Sequence, residues 1–302
     1  MNQPTVLLHF DDEAASAQRI AQAASMVCVT IECHRFPDGE LKLRLPPALP
    51  ARVVLLRTLA NPNEKLVELL LVARTARTLG ARHVTLVAPY LAYMRQDIAF
   101  NPGEVISQRV VGQFLADLFD AVITVDPHLH RVATLQEAVP VPCAVVLSGA
   151  PLLADLIASQ RPGALLMGPD EESAQWIAQA AAQHQFDYGV CHKVRRGDRD
   201  VTIALPDVPV VGRNVVLLDD VASSGHTLAG AARLLLAAGA NRVDVAVTHA
   251  LFAGDALDVI RAAGVRDVWS TDCIPHTSNA ISMATTIAKA LTQLHQPETP
   301  PQ

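Results

Sequence analysis

Basic clusters, paired cysteines and long apolar runs are all missing from this chain of 302 residues. Its net charge is −6, and no basic stretch is interleaved with aromatics. Nucleic acid is therefore not an expected partner, since non-specific binding needs a basic face. The five cysteines (Cys28, Cys33, Cys143, Cys191 and Cys273) are odd in number and form no CxxC pair. That disfavours a zinc site or a disulfide framework and suits a reducing compartment. No apolar run approaches the length of a membrane span, so no membrane partner is expected. The opening MNQPTVLLHFDDE turns acidic without a basic n-region, and no signal peptide is expected. The expectation is a soluble cytoplasmic protein. Neither GxxxxGK[ST] nor a GxGxxG that opens a helix is present, which excludes the common nucleotide-binding loops.

Aromatic residues make up only 4% of the chain, while half of it is hydrophobic and rich in Ala, Val and Leu. Such a composition suits small-residue helices packed on aliphatic strands. Short apolar runs recur at Val53–Leu56, Val84–Ala88, Ala121–Val125, Ala164–Met167, Val215–Leu218 and Val243–Val247. Runs of this kind are expected of strands buried on both faces, as in a parallel sheet. Helical patterns lie between them. Leu66, Leu69, Leu70 and Ala73 fall on one face of Glu64–Leu79, with Gly80 as a stop, and Leu228, Ala231, Ala232 and Leu235 do the same in Thr227–Ala238, before Gly239. The segments LGARHVTLVAP (79–89) and AGANRVDVAVT (238–248) both read helix stop, Gly-Ala, short link, buried strand. They favour two similar α/β halves, with a boundary in the Pro-containing segment 138–151. QPETPPQ (296–302) reads as a disordered tail.

The densest chemistry lies in VVLLDDVASSGHTL (215–228). An apolar strand ends on Asp219-Asp220, a small hydroxyl-rich turn follows, and a helix begins. Backbone N–H groups at such a turn are unpaired and carry the positive end of the helix dipole. Ser223, Ser224, Gly225, His226 and Thr227 could thus cradle a phosphate monoester. Asp219 and Asp220, as acceptors, could hold two vicinal sugar hydroxyls or help hold a divalent metal. The plain alternative is an acidic strand end followed by an ordinary Ser/Thr helix cap. The combination of run, acid pair, small turn and helix favours the first reading.

This stretch resembles the motif by which the phosphoribosyltransferase fold binds 5-phosphoribosyl-1-diphosphate (PRPP). Further segments extend the resemblance over most of the chain: HRFPDGE (34–40), PYLAYMRQD (89–97), TVDPHLH (124–130), HKVRRGD (192–198), THALFAG (248–254) and STDCIPH (270–276). In this order they are similar to elements of the ribose-phosphate pyrophosphokinase (PRPP synthetase) family. The STDCIPHTSNAIS ending and the Ser-Ser-Gly loop are closest in style to its archaeal-type branch.

The resemblance implies two tandem phosphoribosyltransferase-like domains, each a mostly parallel sheet flanked by helices: 1–145 with the ATP-site elements, and 146–295 with the ribose 5-phosphate site and catalytic loop. It implies an enzyme that uses ATP, ribose 5-phosphate and magnesium (Mg2+). Phe36, Asp38, Glu40, Arg95, Gln96, Asp97 and His128 would bind ATP. His128 and Asp170 would meet magnesium, Lys193 and Arg195 would serve catalysis, and Asp219, Asp220 and Ser223–Thr227 would bind the sugar phosphate. A homo-oligomer of two or more chains is implied, because FPDGE contributes to a neighbouring subunit's ATP site.

Each motif also has a structural alternative. FPDGE could be a mere turn, Arg95 could pair with Asp97 at the surface, and Asp126-Pro127-His128 could be a capped strand end. Pro169-Asp170 could be a helix N-cap, and HKVRRGDRD a solvated charge run. His226, where the family usually has a small residue, would restrict a backbone needing positive φ. Glu171 and Glu172 replace a glycine-containing turn and would repel a polyphosphate unless they point away. These departures leave open a non-catalytic regulatory subunit or another sugar phosphate or phosphoryl donor. A salvage phosphoribosyltransferase leaves FPDGE and RQD unexplained.

Overall fold

The computed structural model describes residues 4–129, 131–195 and 201–294. The expected tail from 296 onward lies outside them. The chain divides into two compact units. The first runs through Leu147 and resumes at Met283, and the second is Ser148–Ser282.

The first unit holds β1 (Thr5–His9), α1 (Ala14–Ala24), β2 (Val27–Thr30), β3 (Glu32–Arg35), β4 (Leu41–Arg44), β5 (Arg52–Leu56), α2 (Pro62–Thr78), β6 (His83–Ala88), α3 (Ser107–Ala116), β7 (Ala121–Val125), α4 (Leu135–Ala138) and β8 (Cys143–Leu147). The second holds α5 (Ala150–Gln160), β9 (Leu165–Gly168), α6 (Ala174–His184), β10 (Tyr188–Val190), β11 (His192–Arg195), β12 (Val201–Ala204), β13 (Asn214–Ala222), α7 (His226–Ala237), β14 (Arg242–Ala250), α8 (Ala256–Ala262), β15 (Val268–Thr271) and β16 (Asn279–Ile281). α9 (Ala284–Leu294) closes the described chain and belongs to the first unit.

The two main sheets repeat one plan. Their orders are β2-β1-β5-β6-β7-β8 and β10-β9-β13-β14-β15-β16, and every pairing within them is parallel. In each unit a two-stranded antiparallel ribbon, β3–β4 or β11–β12, is inserted after the second strand. All six apolar runs expected to be buried strands fall in these sheets. Alternate residues of β13 separate the layers of the second unit. Val215 and Leu217 pack with α7 and α8 residues such as Leu228, Leu235 and Ile260, whereas Val216 and Leu218 pack with Leu153, Ile157 and Ile177 of α5 and α6. Each fully buried aliphatic side chain contributes about 1.5–3 kcal/mol.

Two expectations shift. In α2 the buried face is Leu69, Val72, Ala73 and Ala76, while Leu70 is exposed. The helix is rotated from the expected stripe because three consecutive leucines (69–71) leave its phase ambiguous. The last helix also does not continue the second unit. α9 buries Ile287, Ala288 and Leu291 and packs on α1 and β8 in the first unit. There it takes the place that α5 takes against α6 in the second. The helix after the last strand of each sheet thus completes the other unit's layer.

Candidate active site

In sheets of this order the chain leaves the first and third strands in opposite directions, and ligands bind beyond their carboxyl ends. In the second unit these strands are β9 and β13. β13 pairs with β9 as far as Leu217↔Met167 but with β14 as far as Ala222↔Ala250. The strand therefore does not end on Asp219-Asp220, as the sequence suggested, but runs on to Ala222. The two acids sit where its β9 side no longer pairs. The Asp220 N–H donates to Asp219 Oδ1 at 3.0 Å. Burial raises the Asp219 carboxyl well above its ordinary range, and the negative charges of Asp220 and Asp170 push it further the same way.

The turn after β13 is pinned from below. The Phe252 N–H donates to Ala222 O at 2.9 Å and the Ala253 N–H to Ser223 O at 3.0 Å. Gly225 takes the positive φ of +74°, and a Cβ there would lie 2.9 Å from Ala256 O and 3.0 Å from two Ile260 carbons of α8. Only glycine satisfies both demands. His226 is the first residue of α7 and is not among the residues with positive φ. Its Cβ thus does not strain the turn, because Gly225 supplies the left-handed step. Ser224, His226 and Thr227 are exposed, and the N-cap position is Gly225, which has no side chain to cap the helix. The N–H groups of a helix's first turn have no intrahelical partner.

Asp170 follows β9 and caps a short 3-10 turn, accepting from the Glu172 N–H at 3.2 Å. Its N-cap role is therefore real, and its charge also bears on Asp219. Glu171 turns to His192 Nδ1 at 3.1 Å, at the root of the β11–β12 ribbon. It is engaged with this ribbon. Lys193 and Arg195 lie on β11, but their side chains and residues 196–200 fall outside what is described.

The same place in the first unit is filled by the protein itself. VVLL is followed by Arg57-Thr58 there and by Asp219-Asp220 in the second unit. The short 3-10 turn Asp11–Glu13 is likewise answered by Glu171–Ser173, so Glu171 and Glu172 occupy the exposed places of Asp11 and Asp12, and Ser173 that of the buried Glu13. Arg57 is buried and ion-paired to Asp12 at 2.6 Å, Glu13 at 3.2 Å and Glu68 at 2.6 Å, with its guanidinium carbon 4.5 Å from the Phe10 ring centre. The Thr58 N–H donates to Glu13 at 2.6 Å. Desolvation raises the Glu13 carboxyl to about 7 against the pull of Arg57. An internal guanidinium thus closes the first crevice. In the second, an aspartate stands in its place and the acids face one another.

The first unit presents other expected residues at the carboxyl ends of β6 and β7 and on its ribbon. Arg95 is exposed and Gln96 half-buried, but Asp97 is buried and pairs with Arg131 at 2.8 Å, not with Arg95. His128 is half-buried in the loop after β7, which begins with Asp126 at a positive φ of +35°. Phe36, Asp38 and Glu40 form the exposed turn of β3–β4. The Phe36 N–H donates to Glu40 O at 2.8 Å, Asp38 accepts from the Glu40 N–H, and Gly39 takes φ +94°. Sequence reasoning missed Arg57 and Arg131. The repeated VVLL would have found the first, but nothing local marks the second.

The donor set suits magnesium, which keeps several waters and binds through one or two carboxylates plus substrate phosphates. Among the described residues no group of three or more His, Cys, Asp or Glu side chains converges as a complete metal cage. Asp219, Asp220 and Asp170 are hard oxygen donors that repel one another until a cation or hydroxyl donors intervene.

A family model described as the N-terminal domain of ribose phosphate pyrophosphokinase matches residues 5–118, and one described as the phosphoribosyl synthetase-associated domain matches 193–299. A ribose-phosphate pyrophosphokinase of Methanopyrus kandleri is 34% identical over 292 residues, spanning 96% of this chain and 99% of that one. That of Methanosarcina acetivorans is 33% identical over 279 residues, 92% and 96% of the two chains. The solved phosphoribosylpyrophosphate synthetase of Mycobacterium smegmatis shares the fold, with a TM-score of 0.83 at 22% identity over 97% of this chain and 99% of that one. The paired acids, the pinned turn and these full-length likenesses to archaeal relatives agree: the chain belongs to the ribose-phosphate pyrophosphokinase family.

Proposed function

We propose that the chain converts ATP and ribose 5-phosphate to AMP and PRPP in the cytoplasm. The sugar's 1-hydroxyl oxygen bonds to the β-phosphorus of ATP, the bond from that phosphorus to the bridging oxygen breaks, and AMP leaves with that oxygen. The observation that carries the reading is the crevice beside β13, an acid pair followed by a turn pinned to 252–253 and an uncapped helix start. Asp219 and Asp220 hold the ribose hydroxyls. The backbone of Ser223, Ser224 and Gly225 and the first turn at His226 and Thr227 receive the 5-phosphate. In-line transfer of this kind rests on positioning and charge neutralisation.

Arg95, Gln96 and His128 take ATP, joined by Phe36, Asp38 and Glu40. The β3–β4 turn is exposed in the single chain, with Phe36 41% accessible, which supports its use in a partner subunit's ATP site within a homo-oligomer. Lys193 and Arg195 neutralise charge on the transferring group. His128 and Asp170 are the residues that would hold magnesium, in part through water. When bound, the metal neutralises phosphate charge.

The test is phosphorus NMR of the purified protein with ATP, magnesium and ribose 5-phosphate. AMP and PRPP are expected in equal amounts. ADP in place of AMP would mean an ordinary kinase. Absence of turnover with substrate binding retained would favour a regulatory subunit.

A further inference from the structure

The Asp97–Arg131 pair has no part in the chemistry above. The Asp97 side chain is 2% exposed and that of Arg131 is 53% exposed. Asp97 Oδ1 accepts from Arg131 Nη1 at 2.8 Å, while Asp97 Oδ2, also buried, has no hydrogen-bond partner among the described residues. A buried carboxylate met by one exposed cation is a costly way to hold a fold together, because desolvation offsets much of the attraction. It is an effective way to fix a guanidinium, whose flexible stem would otherwise have to be ordered when a ligand binds.

The anchor itself is rigid. The buried Gln108 of α3 donates its side-chain amide to Met94 O at 3.0 Å and its N–H to Gln96 O at 3.2 Å. Residues 94–97 are thus clamped to that helix. Asp97 lies in the loop after β6 with Arg95 and Gln96, and Arg131 in the loop after β7 with His128. β6 and β7 are parallel neighbours, so both loops leave the same edge of the sheet. Asp97 engages Nη1, and a guanidinium has five donors in a fork that matches phosphate oxygens.

We propose that Arg131 binds the phosphate chain of the nucleoside triphosphate beside Arg95 and His128, with Asp97 as the positioning residue beneath it. The inference rests on assigning these loops to ATP, and it moves Asp97 from contact residue to support.

The experiment is calorimetric titration of the full-length protein with adenosine, AMP, ADP and ATP in magnesium buffer, for wild type, Arg131→Ala, Arg131→Lys and the double variant D97N/R131A. Arg131→Ala is expected to weaken ATP about 10- to 100-fold, the scale of a charge-assisted hydrogen bond, and to leave adenosine within twofold. The lysine variant should recover only part of the loss. Removing Arg131 also strands Asp97, so the double variant should regain thermal stability while ATP affinity stays low. Unchanged ATP affinity in Arg131→Ala, equal losses for adenosine and ATP, or ATP affinity returning with stability in the double variant would each overturn the inference. Wild type that fails to bind ATP would sink the assignment of the loops as well, whereas tight wild-type binding with an indifferent Arg131→Ala sinks the inference alone.

Discussion

Gly225 is the residue on which the proposed phosphate turn depends, and the cost of replacing it can be divided into parts. Its φ of +74° costs an L-residue about 1–2 kcal/mol. Alanine returns about 0.4–1 kcal/mol by restricting the unfolded chain. Gly163 has nearly the same φ, +69°, and nothing within 4 Å of a built Cβ, so Gly163→Ala should cost only the difference, about 1 kcal/mol. Gly225→Ala bears the same terms and also drives its Cβ to 2.9 Å from Ala256 O and 3.0 Å from Ile260. Overpacking of that kind adds about 1–3 kcal/mol, for a total of about 2–4. The chain has two tryptophans, Trp176 and Trp269, and both lie in the second unit with these glycines. Urea unfolding followed by tryptophan fluorescence therefore reports on the right unit. The turn must also shift to relieve the contact with α8. Ribose 5-phosphate affinity should fall at least about tenfold in Gly225→Ala, the scale of one 1.4 kcal/mol loss, and stay unchanged in Gly163→Ala. Equal losses of stability in the two variants, or full affinity in Gly225→Ala, would refute the claim that α8 dictates glycine in the cradle.

Three further outcomes are expected. The folded state holds the Glu13 proton to about pH 7, against an ordinary value of 4.5, so between those values it binds more protons than the unfolded chain. Stability of the first unit should fall by roughly 3 kcal/mol as pH rises through that window and level off above it, and Glu13→Gln should flatten the slope in urea melts taken from pH 5 to 8. Asp220→Ala should abolish ribose 5-phosphate binding, while Lys193→Ala should leave both substrate affinities within a few-fold and lower kcat by about three decades or more; similar loss of binding in both would contradict the roles assigned to them. Leu291→Ala, which truncates a fully buried α9 side chain, should cost the first unit about 2–5 kcal/mol, seen as faster amide exchange in β1, β2 and α1 than in the second unit's sheet.

The central strands and the strand–turn–helix at 215–228 were legible because burial on both faces leaves continuous aliphatic runs, and because an acid pair, a small-residue turn and a helix follow one another without a gap. The edge strands were not. Val27–Thr30 has exposed ends, and the ribbon strand Glu32–Arg35 is exposed throughout. The ribbon strand lacks the apolar run that marks a buried strand. His226 misled for a local reason, since one residue decides whether a side chain stands in the left-handed step or starts the helix. The partner of Asp97 was illegible because Arg131 is 34 residues away and is brought to it by the pairing of β6 with β7. A surface pair with Arg95, two residues off, was the reading that spacing alone permits.

The two halves share one frame, and they differ in the charged residues placed in it. After VVLL the first unit places Arg57 among Asp12, Glu13 and Glu68, and the crevice closes on itself. The second unit has Glu171 and Glu172 at the exposed places of Asp11 and Asp12, Ser173 at that of the buried Glu13, and Asp219 where the guanidinium would stand. Burial first, and then the like charges of Asp220 and Asp170, hold the Asp219 carboxyl above its ordinary range, and both oppose folding with that acid ionised. Glu171 reaches across to His192, and Asp170 spends one oxygen on its cap, but neither neutralises Asp219. An arrangement that stability alone would correct with one arginine, as the first unit does, points to a ligand that supplies hydroxyl donors, a cation or both. The pinned turn beside it, with its uncapped helix start, asks for the opposite charge. A sugar carrying both free hydroxyls and a phosphate answers the two demands at once, which is why the second crevice is the one assigned to ribose 5-phosphate.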